Sequence, residues 1–158
     1  AQTAPLLSVF GGKITTYRKL AEHALEKIAP WFPQMKPAWT EQALLPGGDL
    51  GHPTRDAFVA ALQRRYAALP PELIRQLANR HGSALRAVLA NAETPAALGE
   101  HFGDQLFARE VDYFMDHEWA ITADDVLWRR TKAGLSLNNA QKQSLTEYLS
   151  RRAERAVR

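Results

Sequence analysis

The stretch LLSVFGGKITTYRKL, residues 6–20, changes its pattern midway and decides the fold class of the chain. A short apolar run from Leu6 to Phe10 is followed by two glycines, which is typical of a buried strand that enters a tight turn. From Thr16 to Ile28 apolar residues recur at helical spacing until a proline ends the pattern. The stretch therefore predicts a strand, a glycine turn and a helix in succession.

A single strand cannot satisfy its own backbone N–H and C=O groups. The rest of the sequence shows helical patterns and no second strand of similar quality. We therefore predict a mainly α fold, in which a helical C-terminal domain is preceded by one strand-turn-helix remnant of a larger α/β domain.

The sequence divides into three predicted segments. Residues 1–30 hold the terminal strand and helix of the α/β domain, residues 31–53 form a connector rich in proline and glycine, and residues 54–158 form the helical C-terminal domain. The strand at 6–10 would then pair with a second copy, fold onto the connector or lie unpaired.

Apolar stripes and capping signals predict the helices of the C-terminal domain. Helix starts are indicated at Thr94 before Pro95, at Thr122 with Asp125, and at Asn138 with Gln141. The residues predicted to form the core are Phe58, Val59, Leu62, Tyr66, Leu69, Leu73, Ile74, Leu77, Leu85, Val88, Leu89, Leu145 and Leu149, with the aromatics Phe107, Tyr113, Phe114, Trp119 and Trp128.

Composition excludes several classes of protein. With 158 residues, 46% hydrophobic and 23% charged, the chain has the composition of a globular domain and not of a disordered one. The absence of cysteine excludes a disulfide scaffold, a thiolate zinc site and a cysteine nucleophile. No apolar run approaches the roughly 18 residues that cross a bilayer.

The net charge of +3 is concentrated in the last eight residues, RRAERAVR, which carry four arginines and one glutamate. This position favours a solvated helix end, whose cations suit the negative end of the helix dipole. The alternative is a patch for anionic lipid or phosphate. Because the basic residues form a tail and no groove, we predict no nucleic-acid partner.

A cluster of charged residues between positions 112 and 130 allows two interpretations. Carboxylates that face arginines favour an ion-pair network between helices, and acid–base or metal chemistry is the alternative. The five histidines show no metal-ligand spacing, so no metal site is predicted. The cluster consists of Asp112, Asp116, His117, Glu118, Asp124, Asp125, Arg129 and Arg130.

The segment GGKITTYR, residues 11–18, is the richest in chemistry. Its two glycines allow the backbone to approach a ligand, Lys13 offers a cation, and Thr16 is positioned to cap the helix that follows. Free N–H groups at a helix start attract an anion or an electron-rich carbonyl. A purely structural turn with a helix cap is the alternative, and the spacing of a phosphate-binding P-loop is absent.

Three motifs resemble one family. SVFGGKITTYRKLAEHALEKI, residues 8–28, is similar to the closing flavin-domain segment of FAD-dependent glycerol-3-phosphate dehydrogenases. DHEWAITADDVLWRRTKAGL, residues 116–135, resembles a signature of the helical C-terminal domain of that family, and LLPGG in the connector also fits. Residues 64–99 match only in general helical character.

The resemblance implies oxidation of sn-glycerol 3-phosphate to dihydroxyacetone phosphate, with hydride passed to FAD and electrons to a membrane quinone. It implies that Gly11, Gly12, Lys13, Ile14 and Thr15 face the flavin ring. Lys13 would also lie near the substrate, and Arg18 would reach the substrate phosphate or pair with a carboxylate. The whole enzyme would be cytoplasmic and peripheral at the inner face of the membrane, with a homodimer as one assembly.

The chain departs from the family pattern in one respect: the dinucleotide fingerprint GxGxxG is missing from it. We therefore expect this portion to be inactive alone, to hold no catalytic residue by itself and to bind no FAD without the rest of the flavin domain. The alternative is a non-catalytic helical interaction module whose basic tail meets anionic lipid, nucleic acid or a protein partner.

Overall fold

The computed structural model describes residues 4–156 and contains two compact units, divided between Leu44 and Leu45. This division lies inside the segment 31–53 that the sequence predicts to be a connector. The described chain is mainly helical, which confirms the predicted fold class.

The described part of the first unit, residues 4–44, contains one α-helix. A 3₁₀ turn, Ile14–Thr16, leads directly into α1 (Tyr17–Ile28), and a second 3₁₀ turn, Ala29–Trp31, follows it. Pro30 lies in that second turn, which agrees with its predicted role in ending the helix.

The predicted strand at Leu6–Phe10 is not formed. Residues 4–13 adopt neither helix nor strand, and Leu6 and Phe10 are 91% and 94% exposed. A strand needs a neighbour to bond its backbone groups, and within the described part of the chain the first unit supplies none. The prediction of a strand is therefore wrong for this structure, and residues 6–10 pair with no strand of the described chain.

The second unit holds the remaining helices and one short hairpin. Its α-helices are α2 (Arg55–Arg65), α3 (Pro71–His81), α4 (Leu85–Leu89), α5 (Ala108–Glu118) and α6 (Asn139–Ala156). A π-helical segment covers Asp125–Arg130, and 3₁₀ turns cover Gly82–Ala84, Pro95–Leu98 and Ala133–Leu135. The hairpin pairs β1 (His101–Gly103) with β2 (Leu106–Phe107) in antiparallel fashion.

The sequence patterns do not predict the hairpin, because they indicate only helices in this part of the chain. Its two turn residues, Asp104 and Gln105, have φ of 46° and 58°, the left-handed geometry of a tight two-residue connection. Each strand is too short to show an alternating pattern. Phe107, one of the aromatics predicted for the core, ends β2 and is partly buried.

Two apolar clusters form the core of the second unit, and the predicted stripes are buried in them. The first cluster combines α2, α3 and α4, and includes Phe58, Leu73, Ile74, Leu77, Leu85 and Leu89. The second combines the hairpin, α5, the π-helical segment and α6, and includes Phe102, Leu106, Val111, Phe114, Val126 and Leu145. Local amphipathicity thus finds the helical members of both clusters, whereas Phe102 and Leu106 come from the hairpin that it does not predict.

Gly47, near the end of the connector, packs closely against the residues at the end of α3. The backbone N–H of Ser83 donates to the carbonyl of Gly47 over 2.9 Å. Both Gly47 and Gly82 have positive φ, and a Cβ added to Gly47 would lie 2.2 Å from the carbonyl oxygen of His81. Only glycine fits this contact, so residues 45–53 are an integral part of the second unit.

Two of the three predicted helix caps are confirmed. The backbone N–H of Thr122 donates to Asp125 Oδ2 over 2.9 Å, and the N–H of Asp125 donates back to Thr122 Oγ1 over 3.2 Å. Asn138 and Gln141 exchange the same pair of bonds, at 2.9 and 3.0 Å. Thr94 makes no such bond with its side chain and precedes a 3₁₀ turn.

The aromatic residues divide between core and surface. Phe114 is fully buried, whereas Trp119 is 85% exposed and Trp128 is partly exposed. Trp119 ends α5 in the left-handed conformation, with φ of 55°, and its neighbour Ala120 takes the buried position. The prediction that Trp119 belongs to the core is therefore wrong.

Candidate functional site

The loop before α1 is built on two glycines with positive φ. Gly11 has φ of 82° and Gly12 has φ of 148°, values that residues with a side chain rarely adopt. A Cβ at Gly12 would lie 3.3 Å from Leu20 Cδ2, whereas a Cβ at Gly11 would meet nothing within 4 Å. The space next to the Cα of Gly11, where a side chain would lie, is therefore open.

The start of the helical run leaves backbone donors free. Both the N–H and the hydroxyl of Thr16 donate to the carbonyl of Lys13, over 2.9 and 3.0 Å. The hydroxyl is thus a donor to the preceding turn and not the acceptor that a cap requires, so the predicted capping role of Thr16 is wrong. The N–H groups of Ile14 and Thr15 find no acceptor among residues 4–156.

Lys13 stands next to these free donors. Its backbone is extended, with φ of −95° and ψ of 130°, and its side chain is exposed. Its ammonium group makes no ion pair with any residue of the described chain. Two free amides and one unpaired cation therefore occupy consecutive positions, 13–15, an arrangement that can hold a negative or electron-rich group.

Arg18, the other predicted substrate residue, contacts a carboxylate. Its Nη1 lies 2.9 Å from Glu22 Oε1, and the hydroxyl of Thr40 donates to the same oxygen over 2.6 Å. Lys19 Nζ approaches Glu22 Oε2 at 3.2 Å. Of the two roles predicted for Arg18, pairing with a carboxylate is the one observed in this structure.

Glu22 is the buried centre of this cluster. The hydrogen bond from Thr40, followed by that from Lys19, lowers the pKa of Glu22 below its ordinary value and outweighs the opposing effect of burial. Neither Glu22 nor Thr40 is marked as a site residue by the sequence patterns. The spacing of Arg18 and Glu22 by four residues on a helix was the available signal for the pair, whereas Thr40 is 18 residues further along the chain.

An apolar cavity lies beside Glu22 within the first unit. Its volume is about 500 Å³, and one wall is formed by Leu25 and Glu26 of α1 and by Ala29 of the 3₁₀ turn that follows. The opposite wall is the irregular segment 32–40, including Phe32 and Trp39. The residues that line the cavity are mostly apolar, and its charged residues are Glu22, Glu26 and Lys36. The cavity therefore differs in character from the polar loop at 11–15.

The charged cluster at 112–130 forms ion pairs, as predicted, some between its own members and some with Arg152, a partner that the sequence did not identify. Asp125 pairs with Arg129 at 3.1 Å, while Asp112 and Asp116 both pair with Arg152 on α6 at 3.2 Å. His117 packs against the ring of Tyr113, and among the described residues no group of three His, Asp or Glu side chains is arranged so that it could hold a metal ion.

The basic tail is partly neutralised by the second unit itself. Arg151 pairs with Glu100 at 3.3 Å, in addition to the pairs of Arg152 with α5. The two other tail arginines, Arg155 and Arg158, lie outside the side chains that the structure describes. None of the described helices has the length and apolar character that a bilayer crossing requires.

The fold and the loop define a class of protein: a helical domain joined to a short segment whose free amides and lysine suit an anionic group. A family model, the C-terminal domain of alpha-glycerophosphate oxidase, matches residues 38–155. The chain belongs to this family.

The relatives of the chain are dehydrogenases of phosphorylated polyols. The chain is 51% identical over 146 residues to the aerobic glycerol-3-phosphate dehydrogenase of Escherichia coli (strain K12), and 50% identical over 145 residues to the glycerol-3-phosphate dehydrogenase of Pseudomonas aeruginosa. It is 41% identical over 145 residues to the D-erythritol 1-phosphate dehydrogenase of Brucella abortus (strain 2308). Each match covers 92% of this chain and only 28–29% of the relative, so the chain spans less than a third of their length.

Proposed function

We propose that the chain is the C-terminal portion of a flavoprotein that oxidises sn-glycerol 3-phosphate to dihydroxyacetone phosphate and passes the electrons through FAD to a quinone. The observation that carries the proposal is the identity of 51% to an aerobic glycerol-3-phosphate dehydrogenase across 92% of the chain. The free amides and the unpaired cation at 13–15 support it, because they are the groups that such a reaction needs at the cofactor.

The residues of the loop fit one edge of a flavin. Gly11 leaves open space for a planar ring, and the N–H groups of Ile14 and Thr15 can donate to its electron-rich carbonyl edge. The ammonium group of Lys13 adds a positive charge at the same place. Bound FAD would supply the acceptor for the hydride that leaves the substrate carbon. Gly11–Thr15 are therefore the proposed cofactor-binding residues of this chain.

Lys13 and Arg18 are the proposed substrate residues. An exposed ammonium at Lys13 can reach a phosphate as well as a flavin edge. Arg18 uses only Nη1 in its contacts with Glu22 and Thr40, so the remaining donors of its guanidinium stay available to a phosphate. Glu22 would then hold Arg18 in place while it binds.

The isolated chain is proposed to be inactive. It has no GxGxxG fingerprint. The adenosine and pyrophosphate of FAD would therefore lack their usual binding site at a helix N-terminus. In the full-length protein we propose a cytoplasmic location, peripheral at the inner face of the membrane, with the rest of the flavin domain and quinone as partners and with no nucleic acid. A homodimer is part of the same proposal.

The test uses the full-length protein with Lys13→Ala, Lys13→Arg and, as a matched control, Lys27→Ala, which removes an exposed lysine from the far end of α1. Flavin content is measured by absorbance, and turnover with sn-glycerol 3-phosphate is measured with a soluble quinone. We expect Lys13→Ala to lower kcat/KM by roughly 100-fold or more, the usual cost of losing one preorganised charge donor. Lys13→Arg should recover part of the loss, and Lys27→Ala should match the unmodified protein.

The substrate is tested with D-erythritol 1-phosphate in the same assay, because one relative is named for that compound. A kcat/KM higher for D-erythritol 1-phosphate than for sn-glycerol 3-phosphate would overturn the proposed substrate. A full-length protein without flavin would overturn the proposed cofactor.

A further inference from the structure

Glu22 is the one buried residue among the described positions 4–44. It is 6% exposed, whereas the large apolar residues Phe10, Ile14 and Trp39 of the same segment are mostly exposed. A carboxylate is among the groups that proteins bury least often, because its charge is costly to remove from water unless it is paired. The burial of Glu22 therefore needs a reason other than the packing of apolar groups.

The Glu22 carboxylate accepts hydrogen bonds from two segments of the chain. Its Oε1 accepts from Arg18 Nη1 over 2.9 Å and from the hydroxyl of Thr40 over 2.6 Å. Its Oε2 accepts from Lys19 Nζ over 3.2 Å. Arg18 and Lys19 lie on α1 with Glu22, whereas Thr40 lies in the segment that the sequence predicts to be a connector. Among the described residues, Thr40 is thus the donor that comes from outside the helix.

Thr40 also contacts the arginine directly. Arg18 Nη1 donates to the hydroxyl oxygen of Thr40 over a longer distance of 3.5 Å. The hydroxyl therefore accepts from the guanidinium and donates to the carboxylate, so Arg18, Glu22 and Thr40 form a closed set of three contacts. An arginine and a glutamate one turn apart on a helix surface are usually held loosely, because both side chains are long and flexible. The hydroxyl of Thr40 restricts both of them.

These contacts leave one edge of the Arg18 guanidinium free. Both use Nη1, and Nε and Nη2 donate to no acceptor within residues 4–156. Nε and Nη2 form the edge with which an arginine binds a phosphate through two parallel hydrogen bonds. The side chain is partly exposed, and it follows Ile14 and Thr15, whose N–H groups are free, by about one helical turn. Arg18 can therefore bind a phosphate while Nη1 stays on Glu22.

We propose that Thr40 is a positioning residue for the phosphate of the substrate and acts through Glu22 on Arg18, an inference that rests on the function proposed above. Thr40 and Glu22 hold Nη1 and so orient the Nε–Nη2 edge before the substrate arrives. An arginine that is ordered in advance loses less conformational freedom on binding. The phosphate is not the group that is oxidised, so this positioning acts on substrate binding more than on the chemical step.

The ionisation of Glu22 agrees with this role. The hydrogen bond from Thr40, and then that from Lys19, lowers the pKa of Glu22 below its ordinary value. An ionised carboxylate forms stronger hydrogen bonds to a guanidinium than a neutral acid does. Thr40 therefore supports the contact with Arg18 in two ways, through geometry and through the charge of Glu22.

The experiment uses the full-length protein. Thr40→Val removes the hydroxyl and keeps the shape of the side chain, whereas Thr40→Ser keeps the hydroxyl. Thr94→Val is the matched control, because Thr94 is exposed and its side chain makes no cap hydrogen bond. KM and kcat for sn-glycerol 3-phosphate are measured with a soluble quinone, and inorganic phosphate is tested as a competitive inhibitor. Flavin content and Tm are measured on the same samples.

We expect Thr40→Val to raise KM roughly five- to tenfold, the effect of losing one hydrogen bond, while kcat stays within about twofold. The inhibition constant of inorganic phosphate should rise by the same factor. Thr40→Ser should restore both constants, and Thr94→Val should match the unmodified protein. An unchanged KM in Thr40→Val would overturn the inference. A fall in kcat, flavin content or Tm without a rise in KM would also overturn it, because a merely structural contact predicts that result.

A double-mutant cycle with Arg18→Lys tests the route through the arginine. Lysine keeps a cation near Glu22 and removes the edge with two nitrogens. Arg18→Lys should raise KM by itself, and adding Thr40→Val to it should change KM little further, because no such edge remains to be oriented. Equal effects of Thr40→Val in both backgrounds would overturn the inference. So would an Arg18→Lys variant with the KM of the unmodified protein, a result that decides the matter even if Thr40→Val does not fold.

The same measurements separate this inference from the proposed function. A full-length protein that contains flavin and oxidises sn-glycerol 3-phosphate, with a KM that neither Thr40→Val nor Arg18→Lys alters, would overturn the role of Thr40 and leave the proposed function intact. An unmodified protein without flavin or without turnover would overturn the proposed function and this inference with it.

Discussion

His81 Nε2 lies 2.7 Å from Glu110 Oε1, and both side chains are buried. Arg80 completes the arrangement, since its Nε and Nη2 bind the two oxygens of the same carboxylate at 2.7 and 2.8 Å. One carboxylate on α5 thus holds two consecutive residues at the end of α3. The contact joins the first core cluster to the second.

Removal of the Glu110 carboxylate should therefore destabilise the second unit. Glu110→Ala leaves Arg80 and His81 without their acceptor in a buried place, a loss of about 3 kcal/mol in the free energy of unfolding. Urea unfolding followed by circular dichroism measures it. Glu72→Ala, which removes an exposed pair with Arg75, is the control and should cost less than about 1 kcal/mol. Equal midpoints for the two variants would contradict the assignment.

A second prediction concerns the glycine contact between the connector and α3. Gly47→Ala would place a Cβ 2.2 Å from the carbonyl oxygen of His81, so the backbone must move. We expect a loss of about 3 kcal/mol or more, from strain and lost packing together. Gly51→Ala is the matched control, because Gly51 also has positive φ but a Cβ there meets nothing within 4 Å. It should cost only the backbone strain, about 1 kcal/mol. Thermal unfolding separates the two, and a Gly47→Ala variant as stable as Gly51→Ala would show that the contact relaxes freely.

The sequence predicts what local patterns determine. The stripes of the core and the caps at Thr122 and Asn138 follow from residues within one or two helical turns, and the structure confirms them. Such patterns do not predict contacts between segments that are far apart in the sequence. Glu110 pairs with residues about 30 positions away, and Thr40 meets Glu22 across 18 positions.

The loop at 11–15 shows the same limit at the candidate site. The sequence identifies its glycines and Lys13, because these residue types carry a recognisable chemistry. The direction of the Thr16 hydroxyl depends on the 3₁₀ turn that precedes α1, and residue type alone does not give it. The exposure of Trp119 was missed for a similar reason, since a left-handed backbone at the end of α5 decides it.

A third prediction follows from Asp125, the acidic member of the cap at 122–125. Hydrogen bonds from the backbone N–H of Thr122 and then of Ile121 lower the pKa of Asp125 to about 2. In the unfolded chain an aspartate has a pKa of about 3.9, so the folded state gains stability from ionised Asp125 above about pH 4 and loses that gain as the pH falls toward 2. We expect the unmodified chain to be more stable than Asp125→Asn at pH 6, and the two to converge near pH 2.

Urea unfolding at a series of pH values measures this convergence. Asp124→Asn changes the adjacent carboxylate, which is exposed and makes no hydrogen bond with other described residues, and its curve should run parallel to that of the unmodified chain. A constant difference between the unmodified chain and Asp125→Asn from pH 6 to pH 2 would show that the cap does not depend on ionisation.

The last prediction concerns Arg152, which binds Asp112 and Asp116 on α5 from its position on α6. All three groups are partly exposed, so the pairs are screened by salt and contribute about 1 kcal/mol at most. Arg152→Gln should lower the free energy of unfolding at low salt by this amount and by much less in 1 M salt. Arg151→Gln is the control, because Arg151 makes one longer pair, at 3.3 Å with Glu100, and should lose less. A contrary result would be that Arg152→Gln leaves stability unchanged at low salt and abolishes binding to anionic vesicles. Arg152 would then contact lipid, and the basic tail would be a patch for anionic lipid, although its ion pairs in this structure argue against that role.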